Sequence, residues 1–82
     1  MLNSNITEKI IKAFYKVNNT LGFGFLEKVY ENAMTIELRK IGCKVLQQKN
    51  IIVYYDNEEV GDYYADLLVD DLVIVELKAA ET

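Results

Sequence analysis

The chain has 82 residues, 51% apolar and 27% charged, which is enough for one small domain and too few for two hydrophobic cores. It contains no histidine and one cysteine, which excludes Ser-His-Asp and Cys-His catalysis, histidine-ligated zinc and an internal disulfide. Carboxylates, lysines and tyrosines are therefore the side chains that remain for chemistry. The net charge of −4 argues against a broad basic surface for nucleic acid.

The sequence gives no indication of membrane insertion or secretion. No uncharged run is long and apolar enough to span a bilayer. The first residues, Met1 to Asn5, lack the basic and apolar parts of a signal peptide. Together with the lone Cys43, these features predict a cytoplasmic protein.

The first half of the chain predicts two helices. The first begins at Asn5, which can cap it, and ends before Gly22. Its apolar residues recur at spacings of three and four and are predicted to be buried: Ile6, Ile10, Phe14, Val17 and Leu21. The second helix spans about 25 to 41, with Gly42 after it. Its predicted inward residues are Leu26, Val29, Tyr30, Ala33 and Ile41.

Two acids, Glu27 and Glu31, lie along the rim of the predicted buried face of the second helix, which is an unusual position for carboxylates. Glu31 and Glu37 are interpreted either as structural acids of this helix, since a carboxylate near a helix start also favours the helix dipole, or as acids that support the site without binding the metal.

The second half changes to a strand-like pattern rich in Val, Ile and Tyr. The predicted strands are Lys44 to Gln48, Ile51 to Tyr55, Val60 to Val69 and Leu72 to Ala79. The predicted fold is therefore α+β, with two helices followed by an antiparallel meander of three or four strands. We expect both helices to pack on one face of this sheet.

Three charged residues interrupt the apolar strands: Asp66 on one strand, and Glu76 and Lys78 on the next. A carboxylate among apolar neighbours is costly unless it is paired or bound to a metal. Two carboxylates and a lysine in this order fit a metallonuclease, in which a divalent cation polarises a phosphoryl oxygen and the lysine orients water. The alternative is a cross-strand salt bridge from Lys78 to one of the acids.

Strand parity decides whether Asp66 and Glu76 can share a site. A two-residue turn at Asp70 and Asp71 would send the two carboxylates to opposite faces of the sheet. A three-residue connection that includes Leu72 pairs Val69 with Val73 and brings both carboxylates to one face. We therefore expect this longer connection, with one of its aspartates in the left-handed conformation.

Two separated motifs carry a resemblance to a known family. Residues Gly24 to Tyr30 read G-x-x-E-x-x-Y, and Val73 to Ala79 read V-I-V-E-L-K-A, with Ala65-Asp66 between them. In this order and over essentially all 82 residues, the chain resembles the GxxExxY family of the PD-(D/E)xK nuclease superfamily.

The resemblance implies a restriction-endonuclease-like fold and a nuclease that acts on nucleic acid with Mg²⁺ or Mn²⁺. It implies that Asp66 and Glu76 are metal ligands, that Lys78 is the catalytic lysine and that Glu27 completes the site. Two further residues are candidates for contacts to substrate or to the metal's surroundings, Gln48 and Tyr30. For Tyr30 a place in the core, and for Gln48 a simple edge hydrogen bond, are the alternatives.

Members of the family continue beyond the Glu-x-Lys strand with a helix and a further strand. We therefore interpret residues 1–82 as a single nuclease-like domain whose sheet lacks its last strand, and we expect the exposed edge to pair with a second copy as a homo-oligomer. The alternative function is a catalytically inactive, oligomeric binding module that retains the nuclease fold.

Overall fold

The computed structural model describes residues 4–78, which form two helices and a three-stranded antiparallel sheet. The helices are α1 (Ser4–Leu21) and α2 (Glu27–Lys40). The strands are β1 (Val45–Tyr55), β2 (Glu58–Val69) and β3 (Val73–Val75), in the order β1-β2-β3. The predicted α+β architecture is confirmed, with β1 continuous where two short strands were predicted. Ala79, the predicted end of the last strand, lies outside the described residues.

Glycines end both helices as the sequence predicts. After α1, Gly22 has a φ of 70° and its backbone N–H donates to the carbonyl of Asn18 at 2.9 Å. After α2, Gly42 has a φ of 87° and its N–H donates to the carbonyl of Arg39 at 3.1 Å. Both residues adopt a left-handed conformation that only glycine takes without steric cost, and this releases the chain from each helix.

The buried face of α2 differs from the predicted one. The exposed residues include three that were predicted to point inward: Leu26, Val29 and Ile41. Leu26 precedes the helix and Ile41 follows it. The residues that are buried are Glu31, Met34, Thr35 and Leu38. This face is displaced by one residue from the predicted stripe, which corresponds to about 100° around the helix axis.

Polar residues explain why the face of α2 was assigned wrongly. The Thr35 hydroxyl donates to the carbonyl of Glu31 at 2.9 Å, so this polar side chain is buried at little cost. Tyr30 and Ala33, also predicted to point inward, are partly buried and pack against the edge of the core.

The predicted stripe on α1 is correct except at Phe14. Val17 is buried, and Ile6, Ile10 and Leu21 pack against the core as partly buried residues. Phe14 was predicted to be buried but is exposed, and the small side chain of Ala13 occupies the close contact in its place. Phe14 instead makes an edge contact with Tyr15, at a ring separation of 6.0 Å, beside a surface cavity.

One hydrophobic core joins the helices to one face of the sheet. Its buried members are Ala13, Val17, Met34, Leu38, Cys43, Val45, Leu67, Val69 and Leu77. On β2 the buried residues alternate with less buried ones, as expected for a sheet covered on one side. Both helices therefore contribute residues to the core on this side of the sheet, although Phe14 and Val29, which were predicted to be buried there, are exposed.

The lone cysteine belongs to this core. Burial raises the pKa of the Cys43 thiol, the nearby charge of Asp70 raises it further, and Lys9 offsets part of the shift. We expect iodoacetamide to alkylate Cys43 far more slowly in the folded protein than in urea, because only the thiolate reacts and the thiol is covered. Mass spectrometry over time measures both rates. Equal rates in the two conditions would show that Cys43 is accessible in the folded state.

The β1-β2 hairpin closes with a two-residue turn, Asp56-Asn57, whose φ angles are 49° and 65°. These angles fit a type I′ turn, which needs left-handed residues at both positions. We expect Asn57→Ala to lower the free energy of unfolding by about 1 kcal/mol, because alanine tolerates this conformation poorly. Asn57→Gly should keep or increase the stability. Thermal unfolding compares the two variants, and similar melting temperatures would contradict this account of the turn.

Candidate functional site

The register between β2 and β3 is the one that a shared carboxylate site requires. Val69 pairs with Val73 and Leu67 pairs with Val75. The connection is the predicted three residues, 70–72. Two aspartates within it, Asp70 and Asp71, have positive φ angles of 51° and 58°, where one was expected.

Continued by one residue beyond Val75, this register would place Glu76 opposite Asp66. Asp66 is half-buried and lies between the fully buried Ala65 and Leu67, so its side chain alternates with theirs along β2. Glu76 is exposed and follows Val75, which packs against the core. The two acids therefore meet the parity condition for a common site.

Asp66 ties the end of β3 to the middle of β2. Its Oδ2 atom accepts a hydrogen bond from the backbone N–H of Leu77 at 2.7 Å. Its Oδ1 atom accepts a longer one, at 3.4 Å, from the side-chain amide of Gln48. Because the regular pairing of β3 ends at Val75, the Asp66 carboxylate holds the next part of the chain, which carries Glu76 and Lys78.

A second carboxylate reaches the same amide from α2. Glu31 is only 4% exposed, and its Oε2 atom accepts hydrogen bonds from Lys28 and Gln47, each at 2.6 Å. Its Oε1 atom accepts a hydrogen bond from the Gln48 amide nitrogen, also at 2.6 Å. One amide therefore donates to Glu31 and to Asp66, and links α2, β1 and β2.

The charge state of Glu31 follows from these contacts. Burial raises the pKa of its carboxyl group, but hydrogen bonds from Lys28, Gln47 and Gln48 lower it, and the net shift is below the ordinary value. Glu31 is therefore ionised at neutral pH. A lowered pKa stabilises the fold above the pKa of the unfolded chain, and this stabilisation is lost as pH falls through the folded value.

The backbone at Gln48 departs from strand geometry to make this arrangement. Its φ angle is 53°, in the left-handed region, although it lies inside β1 between residues that pair regularly with β2. Successive side chains of a regular strand point to opposite faces. The turned backbone lets two successive residues, Gln47 and Gln48, donate to the same Glu31 carboxylate.

The remaining predicted site residues lie around this cluster. Lys78 is exposed, and it lines a cavity of about 320 Å³ together with Phe14 and Leu77. Among residues 4–78 the ion pairs do not include Lys78, so the predicted alternative of a cross-strand salt bridge is not observed. Tyr30 donates from its hydroxyl to the carbonyl of Gly22 at 2.7 Å, and so fixes the link between α1 and α2.

The helix carboxylate connected to Asp66 is Glu31, one turn after the predicted Glu27. Glu27 is the first residue of α2 and is exposed. The sequence contained a signal for Glu31, because it precedes Met34 by three residues and Leu38 by seven, and both of these are fully buried. That spacing places Glu31 on the buried face, where a carboxylate needs hydrogen-bond donors.

The chemistry of these side chains suits a hard divalent cation, since carboxylate oxygens are the protein ligands that Mg²⁺ and Mn²⁺ prefer. Glu31, Asp66 and Glu76 are the acids concerned. Within the described part of the chain, no group of three or more Asp, Glu, Cys or His side chains is assembled closely enough to hold a metal ion. Two of the three acids instead share the Gln48 amide.

Comparison with protein families identifies the superfamily to which the chain belongs. The profile of the PD-(D/E)XK nuclease superfamily matches residues 4–82, and the chain belongs to this superfamily. Nucleases of the superfamily generally use divalent metal ions. No curated protein and no solved structure matches the chain. In the part that the structure describes, neither helix is both long and apolar enough to cross a membrane.

Proposed function

We propose that the chain is a metal-dependent nuclease domain of the GxxExxY type, which hydrolyses phosphodiester bonds of nucleic acid and comprises residues 1–82 as one unit. The observation that supports this most strongly is the convergence of Glu31 and Asp66, from different elements, on one amide of Gln48. The register of β2 and β3 supports it further, because its continuation by one residue would pair Asp66 with Glu76.

In this proposal Asp66 and Glu76 hold Mg²⁺ or Mn²⁺, which supplies Lewis acidity toward the phosphoryl group when it is bound. Glu31 takes the part of helix carboxylate that the motif predicted for Glu27. Lys78 is exposed two residues after Glu76, where its ammonium group can orient water or stabilise developing negative charge.

The test is cleavage of labelled single-stranded and double-stranded DNA and RNA in Mn²⁺, in Mg²⁺ and in EDTA. We expect cleavage that requires metal and is abolished by Lys78→Ala. Undiminished cleavage by the Lys78→Ala variant would show that the activity comes from elsewhere in the chain or from a contaminant.

Matched substitutions distinguish Glu31 from Glu27 as the helix carboxylate of the site. We expect Glu31→Gln to reduce metal-dependent cleavage at least tenfold and Glu27→Gln to change it less, because Glu31 shares the Gln48 amide with Asp66. Initial rates at fixed metal concentration measure the difference. A larger loss of cleavage in the Glu27→Gln variant would show that Glu27, and not Glu31, is the helix carboxylate of the site.

A second candidate function is an inactive, oligomeric binding module, and exposed apolar side chains favour it. Phe14, Tyr15 and Phe23 are exposed around the cavity that Lys78 lines. Among the described strands, β3 lies at the edge of the sheet. A second copy could cover this region. Light scattering that finds a dimer, together with an absence of metal-dependent cleavage, would favour this candidate over the nuclease.

A further inference from the structure

The side-chain amide of Gln48 contacts the carboxylates of both Glu31 and Asp66. Its amide nitrogen lies 2.6 Å from Glu31 Oε1 and 3.4 Å from Asp66 Oδ1. A primary amide carries two N–H donors, so a single side chain can serve both carboxylates. The shorter distance is in the range of a charge-assisted hydrogen bond, and the longer one is a weak contact.

Two neighbouring carboxylates repel each other, and this repulsion must be offset if both are ionised. A divalent cation offsets it by coordination. In the structure, the Gln48 amide contacts both acids. Glu31 has two more donors, Lys28 and Gln47, but neither of them contacts Asp66. Gln48 alone among the described residues bridges the two.

The backbone of Gln48 supports a specific role for this contact. A left-handed conformation at a non-glycine residue inside a strand is strained and persists only where its surroundings enforce it. Here the conformation directs the side chain toward Glu31. The residue is itself exposed, so solvent is available to receive the amide when it moves away.

We propose that Gln48 is a positioning residue that bridges Glu31 and Asp66 in the metal-free protein and that its amide moves away from Asp66 when a cation binds. This inference rests on the proposed function, because it requires a cation at these carboxylates. It predicts the direction in which the affinity for metal changes when Gln48 is replaced. A side chain that stabilises only the metal-free state lowers the affinity for metal, so its removal should tighten metal binding.

The experiment is a calorimetric titration of the purified chain with Mn²⁺. Gln48→Ala removes the amide. Gln48→Asn keeps an amide on a shorter side chain and suits a left-handed backbone, so it provides a second variant if the first folds poorly. Asn50→Ala is the matched control, since Asn50 donates from its amide to the Asp62 carboxylate at 2.7 Å on the same pair of strands, away from the cluster.

We expect both Gln48 variants to bind Mn²⁺ about tenfold more tightly than the parent, which corresponds to about 1.4 kcal/mol. Asn50→Ala should bind as the parent does. The rise in melting temperature that Mn²⁺ produces should also be larger in the Gln48 variants.

The other outcomes contradict either the role of Gln48 alone or that role together with the proposed function. Weaker binding by the Gln48 variants would show that Gln48 is itself a ligand or supports the bound metal, and unchanged binding would show a purely structural contact. Either result refutes the inference and leaves the proposed function intact. A parent chain that binds no Mn²⁺ refutes both.

Discussion

Leu38→Ala should lower the free energy of unfolding by about 3 kcal/mol, because it opens a cavity where a fully buried side chain had packed. Leu38 is 0% exposed and lies on the face of α2 that contacts the core. A domain of this size has only a few kcal/mol of net stability, so we expect this variant to be largely unfolded at 37 °C.

The matched control for Leu38 is Leu26→Ala, the same substitution at a position that is 79% exposed. We expect it to change the stability by less than about 0.5 kcal/mol. Urea unfolding followed by circular dichroism measures both variants. A larger loss at Leu26 than at Leu38 would mean that the face of α2 predicted from the sequence is the buried one after all.

Asp66→Asn should reduce the affinity for Mn²⁺ at least tenfold, because it replaces a charged oxygen ligand by a neutral amide. The fold should survive, since the asparagine oxygen can still accept the hydrogen bond from the N–H of Leu77. Asp62→Asn, an exposed aspartate on the same strand, is the control and should bind Mn²⁺ as the parent does.

Melting curves with and without Mn²⁺ report the same difference. The cation should raise the melting temperature of the parent and of Asp62→Asn, and raise that of Asp66→Asn much less. If Mn²⁺ stabilises the Asp66 variant as strongly as the parent, the ion binds at another place and Asp66 is not its ligand.

The sheet register could be predicted from the sequence once Asp66 and Glu76 were taken to share a site, because a shared site fixes the parity of the pairing. Ten residues separate Asp66 from Glu76, and only a connection with an odd number of residues brings them to one face. The same reasoning predicted one left-handed aspartate in this connection. The structure has two, Asp70 and Asp71.

The buried face of α2 could not be predicted by counting apolar residues. Glu31 and Thr35 occupy that face, and each is accommodated by hydrogen bonds that the sequence pattern does not show. A count of apolar side chains therefore selected the neighbouring stripe, which includes Val29. The three- and four-residue spacing of Glu31, Met34 and Leu38 was the available signal.

The conformation of Gln48 lies beyond what the sequence alone can indicate. Glutamine has no preference for a left-handed backbone, and its neighbours on β1 are compatible with a regular strand. In this conformation the Gln48 amide donates to Glu31, which is 17 residues away in the chain. Contacts of this kind form only when α2 packs against the sheet.

The most direct test of the account is an anomalous-difference map from crystals of the chain soaked in Mn²⁺. We expect a peak in contact with the carboxylates of Asp66 and Glu76, with the Gln48 amide moved away from Asp66. A peak bound elsewhere, or well-occupied Asp66 and Glu76 side chains with no peak at saturating Mn²⁺, would contradict the assignment of these residues as a metal-dependent nuclease site.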